Sequence, residues 1–486
     1  MNQIEHAKTR EILERFAAIS RIPRGSKNEA RIAAWIGDWA REQGFAVQAD
    51  AVKNTLVKVP GSPGYETRPI VVLQGHMDMV CEKTPDSPHD FTRDPIRLVY
   101  DGEWLRADRT TLGADNGIAL AMAMVVATDR ANPHPPLELL FTVDEETGLT
   151  GARSLQPGFL AGKLLVNLDS EDEGVFTVGC AGGVDSELRL PVAAKAPPAG
   201  RALAWIRAGG LKGGHSGLDI AKNRANAIRI LGRTLRALRQ EGLDVRIAAL
   251  QGGSAHNAIP RDAAALVLVR RGRRKRAAEI VGRCRETFRN EFRRTDPDLA
   301  VAFEEAAETV PARVLTPIAT DRTIDFLLAV PHGVEAMSAD IPGLVQTSNN
   351  FARIRRAEDA IEALTSQRSS VVSEIDALST RIEGVARLAG GEGHRGTGYP
   401  PWTPNMESPL LARSKALYRR MFAKEPVVEV IHAGLECGLI ADRNPGMDMI
   451  SIGPDLKDPH CPDERVHIGS IGRVWEFLAA LLKEIE

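Results

Sequence analysis

Residues 137–148 read LELLFTVDEETG, a continuous apolar run that ends in three consecutive carboxylates. A second run at residues 70–73 precedes it, a third at 164–168 follows it, and residues 118–127 form an apolar helical pattern between the first two. Strands that are buried on both faces require such continuous apolar sequence, and helices alternate with them to cover the sheet. The sequence therefore predicts an α/β fold with a mainly parallel sheet, whose functional groups lie at the carboxyl ends of the strands.

The length of the chain requires more than one domain. A single hydrophobic core stops growing near about 250 to 300 residues, and this chain has 486. The Ala- and Pro-rich stretch 189–201 and the Gly- and Pro-rich stretch 390–404 interrupt the periodic pattern on either side of an α+β segment. We therefore expect a first domain made of residues 1–186 and 395–486, with residues 187–394 inserted as a second domain.

The composition excludes several classes of protein. The chain has 62 Lys and Arg against 64 Asp and Glu, a formal net charge of −2, so no overall field favours nucleic acid or an anionic membrane. Its five cysteines are scattered without a Cys-x-x-Cys pair, which is typical of a reducing compartment. No apolar run approaches the roughly 20 residues of a bilayer crossing, and the charged N-terminal residues do not resemble a signal peptide. A cytoplasmic protein without nucleic acid or membrane partners is expected.

Side chains that can bind metal follow each of the predicted buried strands. Residues 75–78 come directly after the predicted strand 70–74, and His76 and Asp78 share one face of this extended segment. Such an Asp commonly orients a metal-binding His, although a surface pair is the simpler explanation of these two residues taken alone. Glu145 and Glu146 follow the second run and Asp169 ends the third, where repulsion between carboxylates is costly unless cations relieve it.

Two further segments supply candidate ligands. Asp115 lies in a Gly-bounded loop, although an N-cap for the following apolar helix explains this residue taken alone. Imidazole and carboxylate groups without thiolates favour zinc, or cobalt or manganese, and two metals that share a carboxylate need about five ligands. The fifth is expected from the C-terminal segment. There His460 lies in a loop and is the better candidate, His467 lies between apolar neighbours, and Cys461 is a softer potential ligand next to His460.

Several short motifs are spread over nearly the whole chain. They are residues 22–24 (IPR), 75–78 (GHMD), 113–117 (GADNG), 144–148 (DEETG), 213–217 (GGHSG), 256–260 (HNAIP), 368–370 (RSS) and 432–438 (HAGLECG). In these motifs the chain resembles the bacterial aminoacyl-histidine dipeptidases (peptidase D). That family is part of the clan of di-zinc exopeptidases that includes carboxypeptidase G-like enzymes. The motifs are specific when taken together, although none of them is specific alone.

The resemblance implies a di-zinc catalytic domain. The implied ligands are His76, Asp115 and Asp169 for one zinc ion, and Asp115, Glu146 and His460 for the other, with Asp115 bridging. By the same resemblance, Asp78 orients His76. Glu145 is the general base that activates the water between the metals and later protonates the leaving amine. Paired metals lower the pKa of bound water and polarise the scissile carbonyl, which agrees with this assignment.

The resemblance also implies that the inserted domain is a lid that binds substrate. His215 is the position expected to donate a hydrogen bond to the developing oxyanion. Asn257 and Arg368 resemble positions that bind the free carboxylate of a short substrate. Glu436 either meets the free amino group or has a structural role near the ligands. A substrate held at both ends must be short. The resemblance therefore implies a dipeptidase that forms a homodimer and has Xaa-His dipeptides among its substrates.

Three other functions stay open at this point. The first is a deacylase or carboxypeptidase of the same clan that acts on N-acyl amino acids. The second is a non-catalytic binding module with a decayed site, which the complete acidic set with Glu145 argues against. The third is a two-metal phosphoesterase, which the ligands alone allow but the matched lid motifs disfavour.

Overall fold

The computed structural model describes residues 4–339 and 341–486. These residues divide into two compact units. The first unit contains the chain up to Cys180, together with Trp402–Val430 and Leu435–Glu486, and the second contains Ala181–Pro401 and Ile431–Gly434. The expected domain boundaries at residues 186 and 394 both fall inside strands of the second unit. The break in hydrophobic periodicity therefore lies within that unit rather than at its ends.

The regular elements are numbered in chain order. The helices are α1 (Ala7–Ile19), α2 (Ala30–Glu42), α3 (Ala114–Thr128), α4 (Glu145–Gly148), α5 (Thr150–Ser154), α6 (Ala227–Gln240), α7 (Arg274–Glu291), α8 (Pro317–Ala329), α9 (Val372–Leu388), α10 (Pro409–Phe422), α11 (Glu436–Arg443) and α12 (Ile468–Glu484). In the part of the chain that the structure describes, the helices are too short or too polar to cross a bilayer.

The strands are β1 (Ala46–Ala49), β2 (Thr55–Val59), β3 (Val71–His76), β4 (Leu98–Asp101), β5 (Trp104–Ala107), β6 (Leu137–Thr142), β7 (Leu164–Asn167), β8 (Val175–Cys180), β9 (Gly182–Pro191), β10 (Ala194–Lys195), β11 (Arg201–Gly209), β12 (Gly214–His215), β13 (Arg246–Gly252), β14 (Ala258–Ile259), β15 (Ala263–Arg270), β16 (Ala300–Glu305), β17 (Val314–Leu315), β18 (Gly333–Met337), β19 (Val345–Arg356), β20 (Ala360–Ser369), β21 (Glu392–Arg395), β22 (Val427–Ile431), β23 (Asp448–Ser451), β24 (Leu456–Lys457) and β25 (Arg465–His467).

The first unit is built on a sheet with the strand order β1-β2-β6-β3-β7-β23-β8-β22. The strands β6, β3, β7 and β23 run parallel to their neighbours at the centre of the sheet. On one side β1, β2 and β6 pair antiparallel, and on the other β23 pairs antiparallel with β8. Every residue of β3 and β6 is buried, as the continuous apolar runs predicted. The α/β fold class is confirmed.

The helix α3 is the apolar helix that the sequence predicted between β3 and β6. It is buried along most of its length, and α1 packs against it. The chain enters it through a turn in which Gly113 has a φ of 69°, and Asp115 and Asn116 have non-helical backbone angles. Glycine adopts such a left-handed conformation without the steric cost that a Cβ would add. The turn therefore places Asp115 ahead of the regular part of the helix.

The C-terminal segment returns to the centre of the first sheet. The strand β23 pairs in parallel with β7, and most of its residues are buried. The ends of β3, β7 and β23 therefore lie at one edge of the sheet, as expected for parallel strands. The loop that follows β23 carries His460, so this loop starts from the same edge at which β3 and β7 end.

The second unit contains a sheet with the order β16-β11-β15-β13-β19-β20-β9-β21, and β18 also pairs with β19. The pairs are antiparallel. The helices α6, α7, α8 and α9 contribute apolar side chains to a common core with the strands, including Leu231, Ile280, Ile324 and Ile382. Helices and antiparallel strands share this core, which agrees with the predicted α+β segment.

Candidate metal centre

The side chain of His76 lies at the end of β3 and is only 1% exposed. Its Nε2 is 2.9 Å from Oδ1 of Asp115 and 3.5 Å from Oδ1 of Asp169, which follows β7. These three side chains form one group whose potential ligand atoms lie within 4.8 Å of one another. The sequence predicted this set as the ligands of one metal ion, and the fold brings its members together.

A second group shares Asp115 with the first. The Nε2 of His460 is 3.1 Å from Oδ2 of Asp115 and 3.1 Å from Oε2 of Glu146. The ligand atoms of these three residues also lie within 4.8 Å of one another. The two oxygens of Asp115 therefore face different histidines, which is the arrangement expected of a bridging carboxylate.

The two groups fit divalent cations by distance and by chemistry. Ligand atoms about 2.0 to 2.2 Å from a tetrahedral ion lie roughly 3.3 Å apart, and the separations here are 2.9 to 3.5 Å. The Oε1 atom of Glu146 is buried and, among the described residues, has no hydrogen-bond partner. A buried carboxylate oxygen of this kind needs a cation or a donor to compensate its desolvation. The donors are imidazole and carboxylate groups, which suit zinc, cobalt or manganese.

The electrostatics of the centre also call for positive charge. Burial raises the pKa of Asp169 to about 6, and the carboxylates of Asp115 and Glu146 add to this effect. Burial acts in the same direction on Asp115, but hydrogen bonds with His460 and His76 hold the pKa of Asp115 well below its usual range. Hydrogen bonds with Asp115 and Glu146 raise the pKa of His460 to about 11.

Asp78 contacts three parts of the centre. Its Oδ1 is 3.3 Å from Nδ1 of His76 and accepts a hydrogen bond from the backbone N–H of Glu145 at 3.0 Å. Its Oδ2 accepts from the hydroxyl of Ser26 and from the backbone N–H of Glu146. Burial would raise the pKa of Asp78, but the contact with His76 brings this pKa down to about 2. A charged Asp78 facing Nδ1 leaves Nε2 of His76 directed at Asp115 and Asp169, an arrangement compatible with the predicted role of Asp78.

Glu145 lies at the start of α4, next to the predicted ligand Glu146. Its carboxylate, that of Glu146 and the ring of His76 have ligand atoms within 4.8 Å of one another. Burial raises the pKa of Glu145 well above its usual range, and the nearby carboxylates of Asp169 and Glu436 add to the shift. A carboxyl group beside the ligands, with a raised pKa, is suited to accept and return a proton.

Glu436 is a buried residue of the first unit, at the start of α11. Its Oε2 accepts hydrogen bonds from Nε2 of Gln74 at 2.7 Å and from the hydroxyl of Thr142 at 2.6 Å. Its Oε1 is buried without a hydrogen-bond partner among the described residues. Burial raises the pKa of Glu436 to about 7. The free oxygen is compatible with the predicted contact to an amino group, and the other oxygen has a structural role.

The remaining predicted substrate contacts lie in the second unit. The Nδ1 of His215 accepts hydrogen bonds from the backbone N–H groups of Gly217 at 3.2 Å and Leu218 at 3.1 Å. Burial, and then the charge of Arg368, lower the pKa of His215. The neutral ring therefore carries its proton on Nε2, which remains a donor. Asn257 is exposed, and its backbone oxygen accepts from the N–H of Ser216 at 2.8 Å.

Arg368 lies on β20 and is 6% exposed. Its guanidinium donates to the hydroxyl of Ser216 at 3.3 Å and to the hydroxyl of Tyr399 at 2.7 Å. Within the described residues, no carboxylate lies at ion-pair distance from this nearly buried cation. A planar guanidinium held by neutral partners is suited to bind a carboxylate that arrives from outside.

Two residues near His460 are not brought into the ligand groups. The Nδ1 of His467 accepts a hydrogen bond from the backbone N–H of Ser470 and caps α12. The thiol of Cys461 contacts the backbone oxygen of Asp458 at 3.2 Å. The preference for His460 over His467 therefore agrees with the geometry.

The sequence interpretation missed several residues that support the centre. Glu464 accepts four backbone N–H groups around Asp115, and Arg24 donates to backbone carbonyls beside Asp78. Asn116 accepts from the backbone N–H of His76 and donates to the backbone oxygen of Leu168. Their partners lie far away in the chain, so the local sequence carried no signal for these roles.

The chain is similar to known proteins over its whole length. A family model described as peptidase family M20/M25/M40 matches residues 72–484. The cytosol non-specific dipeptidase of Escherichia coli (strain K12) is 40% identical over 485 residues, which span 100% of this chain and 99% of that protein. The crystal structure of aminoacylhistidine dipeptidase from Vibrio alginolyticus has a TM-score of 0.91 at 40% identity and covers 100% of this chain and 98% of that one.

A third relative has a different activity in its name. The acetylornithine deacetylase of Myxococcus xanthus is 31% identical over 301 residues, or 58% of this chain and 69% of that protein. The similarity to the two dipeptidases spans the whole chain, whereas the similarity to the deacetylase spans little more than half of it.

Proposed function

Because the chain belongs to peptidase family M20/M25/M40, we propose that it is a metal-dependent dipeptidase that hydrolyses short, unblocked dipeptides, including Xaa-His dipeptides. The observation that carries this proposal is the pair of ligand groups that share Asp115, with Glu145 beside them. The full-length similarity to two proteins named as dipeptidases supports the substrate class.

The proposed cofactor is a pair of Zn²⁺ ions, for which Co²⁺ or Mn²⁺ are expected to substitute. Their proposed ligands are His76, Asp115 and Asp169 for one ion, and Asp115, Glu146 and His460 for the other. When bound, such a pair supplies Lewis-acid polarisation of the scissile carbonyl and makes water more acidic. Asp78 holds the ring of His76 in the orientation that directs Nε2 toward the ligand group.

Glu145 is the proposed general base. Its carboxylate accepts a proton from the attacking water and then gives it to the nitrogen of the leaving amine. The backbone N–H of Glu145 donates to Asp78, which fixes the start of α4 relative to His76. His215 is proposed to donate from Nε2 to the oxyanion that develops on the scissile carbonyl.

The two ends of the substrate have separate proposed contacts. Arg368 and Asn257 bind the free carboxylate, since Arg368 is a nearly buried cation with hydroxyl partners. Glu436 binds the free amino group through the oxygen that has no hydrogen-bond partner among the described residues. A substrate that is bound by both of its charged ends must be short, which favours dipeptides over longer peptides.

The assembly and the location of the protein are further parts of this proposal. From the resemblance we expect a homodimer, and the name of the relative from Escherichia coli, a cytosol dipeptidase, supports a cytoplasmic location. The near-neutral net charge agrees with small peptides, rather than nucleic acid or membranes, as partners.

A panel of dipeptides that includes β-alanyl-histidine tests the proposal. Protein stripped of metal with a chelator is expected to be inactive, and zinc, cobalt or manganese should restore hydrolysis. N-acetylation of a good substrate is expected to slow hydrolysis by about 10- to 100-fold, because the amino group loses a charged hydrogen bond. The rates are measured by separating the released amino acids.

The same panel distinguishes the alternatives. The partial similarity to a deacetylase favours, as the second candidate, a deacylase that acts on N-acyl amino acids. Equal cleavage of free and N-acetylated dipeptides would support this second candidate and contradict the dipeptidase. A metal-loaded protein that cleaves no member of the panel would instead indicate a non-catalytic binding module.

Replacing Arg368 by lysine is expected to raise KM for dipeptides by about 10- to 100-fold, because one charge-assisted hydrogen bond to the carboxylate is lost. The effect on kcat should be smaller, since the carboxylate is bound in both the ground state and the transition state. Steady-state kinetics with a free dipeptide measures both constants. Arg355→Lys, an exposed arginine that pairs with Glu362, is the control, and equal KM values in the two variants would refute the assignment.

A further inference from the structure

The carboxylate of Glu464 is buried in the first unit and accepts hydrogen bonds from four consecutive backbone N–H groups. Its Oε2 accepts from Leu112 at 2.7 Å and from Gly113 at 3.0 Å. Its Oε1 accepts from Ala114 at 2.8 Å and from Asp115 at 3.3 Å. The residue is 2% exposed. The acceptor capacity of this side chain is therefore committed to the turn that carries Asp115.

These N–H groups need an acceptor from outside the helix. The first N–H groups of a helix have no partner within it, and here Asp115 and Asn116 depart from helical geometry before the regular part of α3 begins. A buried N–H group without a partner costs about 1 to 3 kcal/mol. A carboxylate has two acceptor oxygens and can satisfy all four groups, whereas an amide side chain of the same shape has one acceptor oxygen.

Arg24 fixes the same turn from its other side. Its guanidinium donates to the backbone oxygen of Gly113, to that of Met77 at 2.9 Å and to that of Asp78 at 2.7 Å. Arg24 is buried, and its charge is opposite to that of Glu464. Glu464 therefore binds the N–H groups of the turn, and Arg24 binds one of its carbonyl groups. Arg24 also joins the turn to Met77 and Asp78, which follow β3.

The loop that contributes Glu464 also contributes His460. The two residues are four positions apart, and the backbone N–H of Glu464 donates to the oxygen of Cys461 at 3.0 Å, which closes a tight turn between them. A displacement of Glu464 would therefore move His460 as well as the turn of Asp115. The side chain of Glu464 therefore connects the loop of His460 to the turn of Asp115.

We propose that Glu464 is a positioning residue, which holds the bridging carboxylate of Asp115 between His76 and His460 by tying the loop of His460 to the turn of Asp115. The inference rests on the proposed function, because it assigns Glu464 a part in assembling the two-metal centre. Glu464 belongs to neither ligand group. Its effect on the reaction therefore passes through the ligands.

Glu464→Gln tests this role with little change in side-chain volume. The variant amide would direct an NH₂ group at two of the four backbone N–H groups, so the turn is expected to shift. Residues that orient metal ligands typically change metal affinity by about 10- to 100-fold, and we expect a loss of this size for zinc. The affinity is measured by competition with a chromophoric chelator, without reference to activity. At saturating zinc, most of the turnover should return with an unchanged KM.

Glu138→Gln is the matched control. Glu138 is also buried in the first unit, and its Oε2 accepts from the backbone N–H groups of Ala161 and Gly162. It lies at the start of β6, at the opposite end of the strand from Glu145. This variant is expected to lower the thermal unfolding temperature without changing zinc affinity. Equal zinc affinity in Glu464→Gln and in the wild type would overturn the proposal.

Two further results would bear on the role of Glu464 and on the proposed activity. If Glu464→Gln does not fold, the zinc affinity of Glu464→Asp tests the positioning role instead. This variant keeps both acceptor oxygens but is one methylene shorter. A loss of affinity supports the proposal and wild-type affinity overturns it. A wild-type chain that binds two zinc ions but cleaves no dipeptide would contradict the proposed dipeptidase activity. The comparison of zinc affinities would still decide the role of Glu464.

Discussion

Replacing Glu145 by glutamine is expected to reduce kcat by about 10²- to 10⁴-fold, the range that a positioned acid–base group contributes. Glutamine keeps the shape of the side chain but cannot accept the proton of the attacking water. Glu145 is absent from the two groups that share Asp115, so the variant should still bind two metal ions. Steady-state kinetics and the metal content of the purified variant, measured by elemental analysis, test both parts.

The variant Glu145→Asp tests whether a carboxylate, rather than a side chain of the same size, is what the reaction needs. Aspartate keeps the carboxylate but places it about one methylene farther away, so its activity should lie between those of the wild type and the glutamine variant. If the glutamine variant retains substantial turnover with both metal ions bound, another group must move the proton. The assignment of Glu145 as the base would then be wrong.

Replacing Asp115 by asparagine should have the largest effect on metal binding. Each oxygen of Asp115 faces one of the two histidines, at 2.9 Å for His76 and 3.1 Å for His460. Asparagine has one acceptor oxygen and no charge, so it can serve at most one of the two positions. We expect fewer than two metal ions per chain. We also expect a loss of at least about 10³-fold in turnover, since Lewis-acid polarisation contributes several kcal/mol.

A nearby surface carboxylate provides the control for this substitution. Asp172 is exposed and pairs with Lys457, and exposed pairs contribute about 0 to 1 kcal/mol. Asp172→Asn should therefore keep both metal ions and wild-type turnover. An Asp115→Asn variant that binds two ions as tightly as the wild type would show that Asp115 does not bridge them.

The sequence predicted the centre of the first unit because burial on both faces of a strand leaves a continuous apolar run. It predicted a strand over residues 70–74, whereas β3 begins at Val71 and continues through Gly75 and His76. Gln74 can be buried because it donates to Glu436 and accepts from Asn167. Neither partner is near Gln74 in the chain, so the local pattern does not show how the buried amide of Gln74 is satisfied.

The proposed ligands stand out in the sequence for a related reason. Carboxylates directly after apolar runs are rare unless function requires them, and His76, Glu146 and Asp169 each stand out against an apolar neighbourhood. Glu464 has no such contrast, because it lies in a polar loop and its role depends on backbone groups about 350 positions away. Sequence pattern therefore identifies candidate metal ligands more readily than the groups that hold them in place.

Because β23 is an inner strand of the first sheet, the proposed metal centre can form only late in the synthesis of the chain. The strand lies between β7 and β8, and His460 is about 290 residues after Asp169. At about 5 to 20 residues per second, a ribosome needs roughly 15 to 60 s to bridge that interval. The second unit is synthesised during this period, while the first sheet still lacks an inner strand. A nascent or truncated chain without β23 and His460 is therefore expected to lack the proposed metal centre, so hydrolytic activity should begin only with nearly full-length protein.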